Sequence, residues 1–159
     1  MAIIGLVALD RNNAIGRHGA LPWHYAADMR FFRQQTVGNA CVMGYKTWAS
    51  LKKPLPNRLN IVLSRMSEIS AQDGVILLRD KLNVLALKPY LVCDLFIIGG
   101  EQIYCAFAGE IDKWIVTEIP LAVEDADTFM PENFLDGFRA SDLRELEENL
   151  VVKFYERAL

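Results

Sequence analysis

The chain reads as an α/β protein: a single domain on a mostly parallel, twisted sheet of about eight strands, with a C-terminal antiparallel hairpin and about four flanking helices. Three observations lead there. Short apolar, β-branched runs alternate with helix-like segments as far as Ile119, the mark of strand and helix layering. Several runs are apolar at consecutive positions, as strands covered on both faces require. Beyond residue 137 the pattern changes to two extended stretches separated by a short polar turn.

The first strand is the run at residues 3–9. Residues 12–23 contain Gly16 and Gly19 and have no hydrophobic period, so they read as a long loop of the kind that serves as a lid or binding segment. Pro22-Trp23 then delivers the chain into a helix over 25–36, where Asp28, Phe31, Phe32 and Gln35 share a face at helical spacing. Strands at 40–43 and 60–64 flank a short helix at 46–51 that follows Gly44. A strand at 75–78 leads to a helix at 81–87, and a strand at 95–98 runs through Gly99-Gly100 into a helix at 101–107. Residues 114–119 form the last strand of the alternating part. The hairpin pairs 138–146 with 150–157 and turns at Glu147-Glu148-Asn149.

Of the 159 residues 52% are hydrophobic, enough for one sizeable core, and no repeat or Gly/Ser linker marks a second domain; residues 1–159 are read as one unit. The net charge of -3 comes from interspersed acids and bases, which argues against a nucleic-acid or anionic-membrane surface. No apolar run approaches the roughly 18 to 20 residues of a membrane span, and the apolar stretch 2–9 precedes the first basic residue, Arg11, unlike a secretory signal. A monomer in the cytoplasm is expected. Cys41, Cys93 and Cys105 form no CxxC pair and have apolar neighbours, so reduced core thiols are expected. His18 and His24 lack metal-ligand spacing, and no metal is expected.

Asp28 stands near the start of its helix, where an acid complements the helix dipole. Its face also carries two phenylalanines, and an acid against aromatic surface has a raised pKa and can relay a proton near neutrality. Both readings stand at this point. Gly44 and Gly99-Gly100 each lie between a strand and a helix start, a geometry that aims backbone N–H groups at an anion, with Lys46 and Arg65 available nearby. This is not the GxGxxG fingerprint, and a tight turn alone also calls for glycine. Arg58, behind Pro54 and Pro56, is a candidate to hold a carboxylate, or else an ordinary solvated arginine.

Taken together, Leu21-Pro22-Trp23 with Asp28 five residues on, Met43-Gly44-Tyr45-Lys46-Thr47-Trp48, Pro54-Leu55-Pro56-Asn57-Arg58 and Ile98-Gly99-Gly100 resemble the dihydrofolate reductases, with recognisable positions from Leu6 to Asp127. The resemblance implies that Asp28 grips a pterin ring, supported by Thr117 and by a water held by Trp23, with Tyr104 also at the catalytic centre. Leu6, Val7 and Ile98 would meet the ring, Phe32, Leu51 and Leu55 would line the pocket, and Arg58 would bind the α-carboxylate of a glutamate tail. The implied cofactor is NADPH, with its nicotinamide near Ala8, Ile15 and Tyr104 and with Gly16 and Leu21 beside it. Gly44, Thr47, Gly99 and Gly100 would contact its phosphates, together with Glu101, Gln102 and Ile103 of the following helix. Lys46 and Arg65 would approach the 2′-phosphate, and Tyr45 and Ser64 would also line the cofactor site. Asp127 would brace the lid.

Four positions depart from the family pattern. Tyr45 replaces a common arginine, Tyr25-Ala26 a common Leu-Pro, and Ala126 a common glycine. Since alanine tolerates positive φ poorly, the bracing loop is expected to differ in shape or mobility. The implied reaction reduces 7,8-dihydrofolate to tetrahydrofolate for one-carbon metabolism, with hydride passing from nicotinamide C4 to pterin C6 and a proton reaching N5. Two rivals predict other outcomes. A related pterin or pyrimidine reductase of the same fold would oxidise NADPH with an aminopyrimidine, and a non-catalytic nucleotide- or folate-binding module would bind without turnover.

Overall fold

The computed structural model describes every residue from Met1 to Leu159. In chain order the elements are β1 (Ile3–Leu9), β2 (Ala14–Gly16), α1 (Ala26–Thr36), β3 (Ala40–Gly44), α2 (Tyr45–Ser50), β4 (Leu59–Leu63), β5 (Val75–Leu78), α3 (Lys81–Leu85), β6 (Leu95–Ile97), α4 (Glu101–Phe107), β7 (Lys113–Glu118), β8 (Thr128–Phe129), β9 (Phe138–Glu145) and β10 (Val151–Arg157). Eight strands make one sheet in the order β5-β4-β3-β6-β1-β7-β10-β9. All pairs from β5 to β7 are parallel, and β10 runs antiparallel to both β7 and β9. The expected α/β architecture, including the C-terminal antiparallel hairpin, is what forms.

Strand β1 is apolar throughout because the sheet is covered on both sides. Ile3, Val7 and Leu9 join Tyr104, Phe107 and Trp114 on one face, while Ile4 and Leu6 join Phe31 and Phe96 on the other. Gly5 leaves space for an indole, since a Cβ there would stand 2.4 Å from the Trp114 ring. The hairpin reverses with Glu148 and Asn149 both left-handed (φ 64° and 61°), which matches the right-handed twist of the paired strands.

Sequence periodicity shows neither β2 nor β8, which pair antiparallel as a separate two-stranded sheet. At three and two residues they are too short for alternation to register. Helix α3 stops at Leu85 rather than 87, and a single 3-10 turn, Lys88–Tyr90, follows with Pro89 in it. Cys41 is in the core as expected, whereas Cys93 is half-buried and Cys105 is exposed. Helix α4 buries only Tyr104 and Phe107, and Cys105 lies on its outer side.

Candidate active site

The site grows from a break in strand pairing. β1 and β6 pair only as far as Gly5↔Ile97, while β1 continues against β7 to Leu9↔Glu118. Beyond the last rung the Leu6 carbonyl accepts the Tyr104 hydroxyl at 2.7 Å in place of a strand partner. Such a crevice at the carboxyl ends of parallel strands is where open α/β sheets bind ligands.

Helix α1 brings Asp28 to this crevice. Its neighbours Ala27 and Phe31 are buried, and the carboxyl is half-buried. Burial pushes Asp28 up to about 6, and the buried Thr117 hydroxyl beside it acts in the opposite direction. Burial also raises the Tyr104 phenol, and the charge of Asp28 adds to that rise. Asp28, Thr117 and Tyr104 therefore share one electrostatic neighbourhood. The Trp23 indole packs with Ala8 and Tyr25 around Ala27 and Ile119, and its buried Nε1–H has no protein acceptor. It is a donor available to a ligand or a bound water.

Phe32, Leu51, Leu55 and Ile98 are half-buried against the Phe31 cluster and form an apolar wall. Trp48, from the motif that begins at Gly44, joins them. The Val7 side chain belongs to the core on the opposite face, so only its backbone is available to a ligand. Arg58 donates from Nε to Pro56 O at 2.9 Å and from Nη1 to Thr36 Oγ1 at 3.0 Å, with its guanidinium 5.9 Å from the Phe32 ring centroid. Desolvation lowers its pKa.

Two polar residues missed by sequence reasoning hold this region. Buried Asn60 accepts from Leu55 N at 2.9 Å and donates to Leu55 O at 2.9 Å and Arg58 O at 3.2 Å. Buried Thr36 supplies the hydroxyl under Arg58. Asn60 thus ties the segment between Pro54 and Arg58 to β4, and its signal in the sequence was a lone amide inside an apolar strand.

On the other side of the crevice, the Gly44 N–H donates to Gly99 O at 2.9 Å and joins the two glycine turns. The Gly99-Gly100 peptide is cis. A Cβ on Gly44 would lie 3.1 Å from Ile103 Cγ1, and one on Gly99, at φ 115°, 3.2 Å from the Tyr104 ring, so a side chain at either position would crowd its neighbour, while Gly100 faces open space. No side chain caps α2 or α4, whose first-turn residues Tyr45, Lys46, Glu101 and Gln102 are exposed, with Thr47 half-buried behind them. Uncapped N–H groups beside a cradle without Cβ atoms fit the phosphates of a dinucleotide. Ser64 and exposed Arg65 follow β4. Arg79, which no motif marks, clips this loop by donating to Ser67 O at 2.7 Å and Ser64 O at 3.2 Å.

The loop over 12–23 is tied at its start and near its middle. Asp10, 2% exposed, accepts from Asn12 N, Ala14 N and Val123 N at 2.8, 2.9 and 2.7 Å. Asp127 accepts from His18 N at 2.9 Å, while its own N–H donates to Gly16 O at 3.1 Å. The His18 N–H, then the Thr128 hydroxyl, hold the Asp127 carboxyl below its usual range. Ile15 packs on the core, Gly16 is buried, and Leu21 is exposed. The left-handed residue of the bracing loop is Asp125 (φ 58°), so positive φ falls on an aspartate and not on Ala126.

A half-buried acid facing a strand-end crevice, with a dinucleotide cradle across it, defines a nucleotide-dependent α/β reductase. Residues 2–155 match the family model described as Dihydrofolate reductase. The dihydrofolate reductase of Haemophilus influenzae is 37% identical over 127 residues, covering 80% of this chain and 77% of that protein. That of Mycobacterium leprae is 37% identical over 139 residues, covering 82% of each. The solved dihydrofolate reductase from Enterococcus faecalis, complexed with NADP(H) and RAB-propyl, superposes with a TM-score of 0.89 at 27% identity, covering 99% of this chain and 97% of that one. The chain belongs to the dihydrofolate reductase family.

Proposed function

We propose that the chain, acting as one domain over residues 1–159, reduces 7,8-dihydrofolate to 5,6,7,8-tetrahydrofolate with NADPH and so supplies tetrahydrofolate for one-carbon metabolism. Family membership supports the reaction. The observation that carries the substrate assignment is Asp28, a half-buried acid raised to about 6 beside Thr117.

NADPH, when bound, supplies the hydride that reaches pterin C6. Every other task falls to the chain. Asp28 accepts paired hydrogen bonds from the amidine-like edge of the ring, and Thr117 orients it. At pH 7 a carboxyl with a pKa of about 6 is protonated about one tenth of the time, which makes it a usable source for the proton needed at N5. The Trp23 Nε1–H holds a water next to the acid. The Phe32, Leu51, Leu55 and Ile98 wall keeps the ring dry, and Arg58 takes the tail carboxylate. Gly44, Thr47, Gly99 and Gly100 hold the cofactor phosphates, Lys46 and Arg65 the 2′-phosphate, and Tyr104, Ala8 and Ile15 bound the nicotinamide end.

The loop from Ala14 to Trp23 acts as the lid, and Asp127 helps to hold it closed. The same reading takes the protein as a monomer in the cytoplasm, where its three free thiols stay reduced. Mixing the protein with NADPH and dihydrofolate and following NADPH absorbance tests the proposal. Turnover supports it, whereas binding without turnover, or turnover only with an aminopyrimidine, sinks it.

A further inference from the structure

Helix α1 carries Asp28, yet the sequence around its start supplies no cap. Tyr25 stands at the N-cap in extended backbone (φ −126°, ψ 119°), and its side chain accepts no hydrogen bond from the first turn. The Ala27 N–H, one residue before Asp28, donates instead to Glu148 Oε2 at 2.9 Å, across 121 residues of sequence. Glu148 lies at the tip of the β9–β10 turn with left-handed backbone. Its neighbour Glu147 accepts from Arg30 Nη2 at 2.7 Å. Buried Leu150, at the end of the turn, packs with Ala27 and Ile119. The turn is therefore anchored by an apolar contact and offers a carboxylate to the positive end of the helix, where negative charge is favoured.

We propose that Glu148 is a positioning residue for Asp28, a cap supplied from the far hairpin that holds the first turn of α1 in register with the crevice. The inference rests on the reading of Asp28 as the substrate acid. An uncapped first turn frays, and Asp28 lies in that turn, so loss of the cap lets the acid drift from the ring it must grip. Misplacement by a fraction of an ångström is enough to slow a positioned reaction severalfold.

The test compares two variants differing by one methylene. Glu148→Asn tolerates the left-handed backbone but is too short to reach Ala27, whereas Glu148→Gln keeps an acceptor oxygen at full length. Glu148→Asn should lower kcat/KM for dihydrofolate about fivefold, the scale of a lost cap, with the Kd for NADPH unchanged. Glu148→Gln should stay within about twofold of the parent. Glu147→Ala, which breaks only an exposed ion pair, should change nothing.

A rescue sharpens the test. Ala26 is exposed at the first helical position, and Tyr25 already has the backbone that precedes proline, so Ala26→Pro sets the first turn without Glu148. Adding Ala26→Pro to Glu148→Asn should restore kcat/KM. Normal activity in Glu148→Asn, equal loss of NADPH affinity, or no recovery with proline overturns the positioning role. Asp28→Asn, assayed alongside, separates the two ideas. A crippled Asp28→Asn beside a normal Glu148→Asn defeats only the positioning role, and an active Asp28→Asn defeats the reading beneath it.

Discussion

Replacing Asp28 by asparagine should stabilise the ligand-free protein while disabling it. The carboxyl rises from 3.8 to about 6 on folding, and at 1.36 kcal/mol per pKa unit the charged form costs the folded state about 3 kcal/mol. Between those two values the folded chain binds more protons than the unfolded chain. Stability from this group is therefore complete below pH about 4, falls as pH rises to about 6, and is level above that. Asparagine keeps the shape and never ionises. The mutant should exceed the parent by up to about 3 kcal/mol at pH 7 to 8, about 6 to 12 °C in Tm for a chain of this size, and the gap should close below pH about 4. Urea unfolding of both proteins across that range measures it. A gap that is absent, or that does not change with pH, refutes the argument that Asp28 is held charged against its surroundings.

Activity should move the other way. With NADPH saturating, kcat/KM of Asp28→Asn at neutral pH should fall by about 10², the scale of general-acid assistance. Lowering the pH should restore part of it, because substrate protonated in solution bypasses the missing group. Near-normal neutral activity would return Asp28 to the role of an acid that complements a helix dipole.

Arg58→Leu should weaken dihydrofolate binding by about 1.5 to 3 kcal/mol and leave NADPH binding intact, as fluorescence titrations will show; equal losses would indicate misfolding instead. The parent should prefer NADPH to NADH, and Lys46→Ala with Arg65→Ala should collapse that preference in kcat/KM; a parent without the preference, or a double mutant that keeps it, would mean that the 2′-phosphate lies elsewhere. Asp127→Ala frees the His18 N–H and should slow single-turnover reduction severalfold without altering Tm. Because the Asp127 carboxyl is held below its usual range, the parent lid should stay braced at pH 5, and a parent that behaves like the mutant there would count against the brace.

Apolar pattern made much of the fold legible. β1, β5 and α4 fall where composition places them, because apolar runs end abruptly at Asp10, Arg79 and Gly100 on one side or the other. The pocket wall and the glycine turns were readable through motifs whose residue types are dictated by contact. The β2–β8 pair was not readable, since so few residues carry no period. Nor was the left-handed Asp125, because positive φ at a non-glycine residue leaves no mark in a polar loop.

What escaped most completely is the set of side chains that hold backbone from afar. Asp10 abuts an apolar strand and Asn60 interrupts one, and a polar group in such a place must find partners or stay out of the core. That much is visible in sequence. Which N–H groups they take is not, because Asp10 reaches Val123 across 113 residues and Glu148 reaches Ala27 across 121. These contacts share one arrangement, in which a carboxylate or amide on one segment terminates the free backbone groups of a loop or helix start on another. The apolar pattern decides which faces meet. The polar staples decide where the loop over 12–23 and the helix that carries Asp28 sit once they have met, and their partners exist only after the chain has folded.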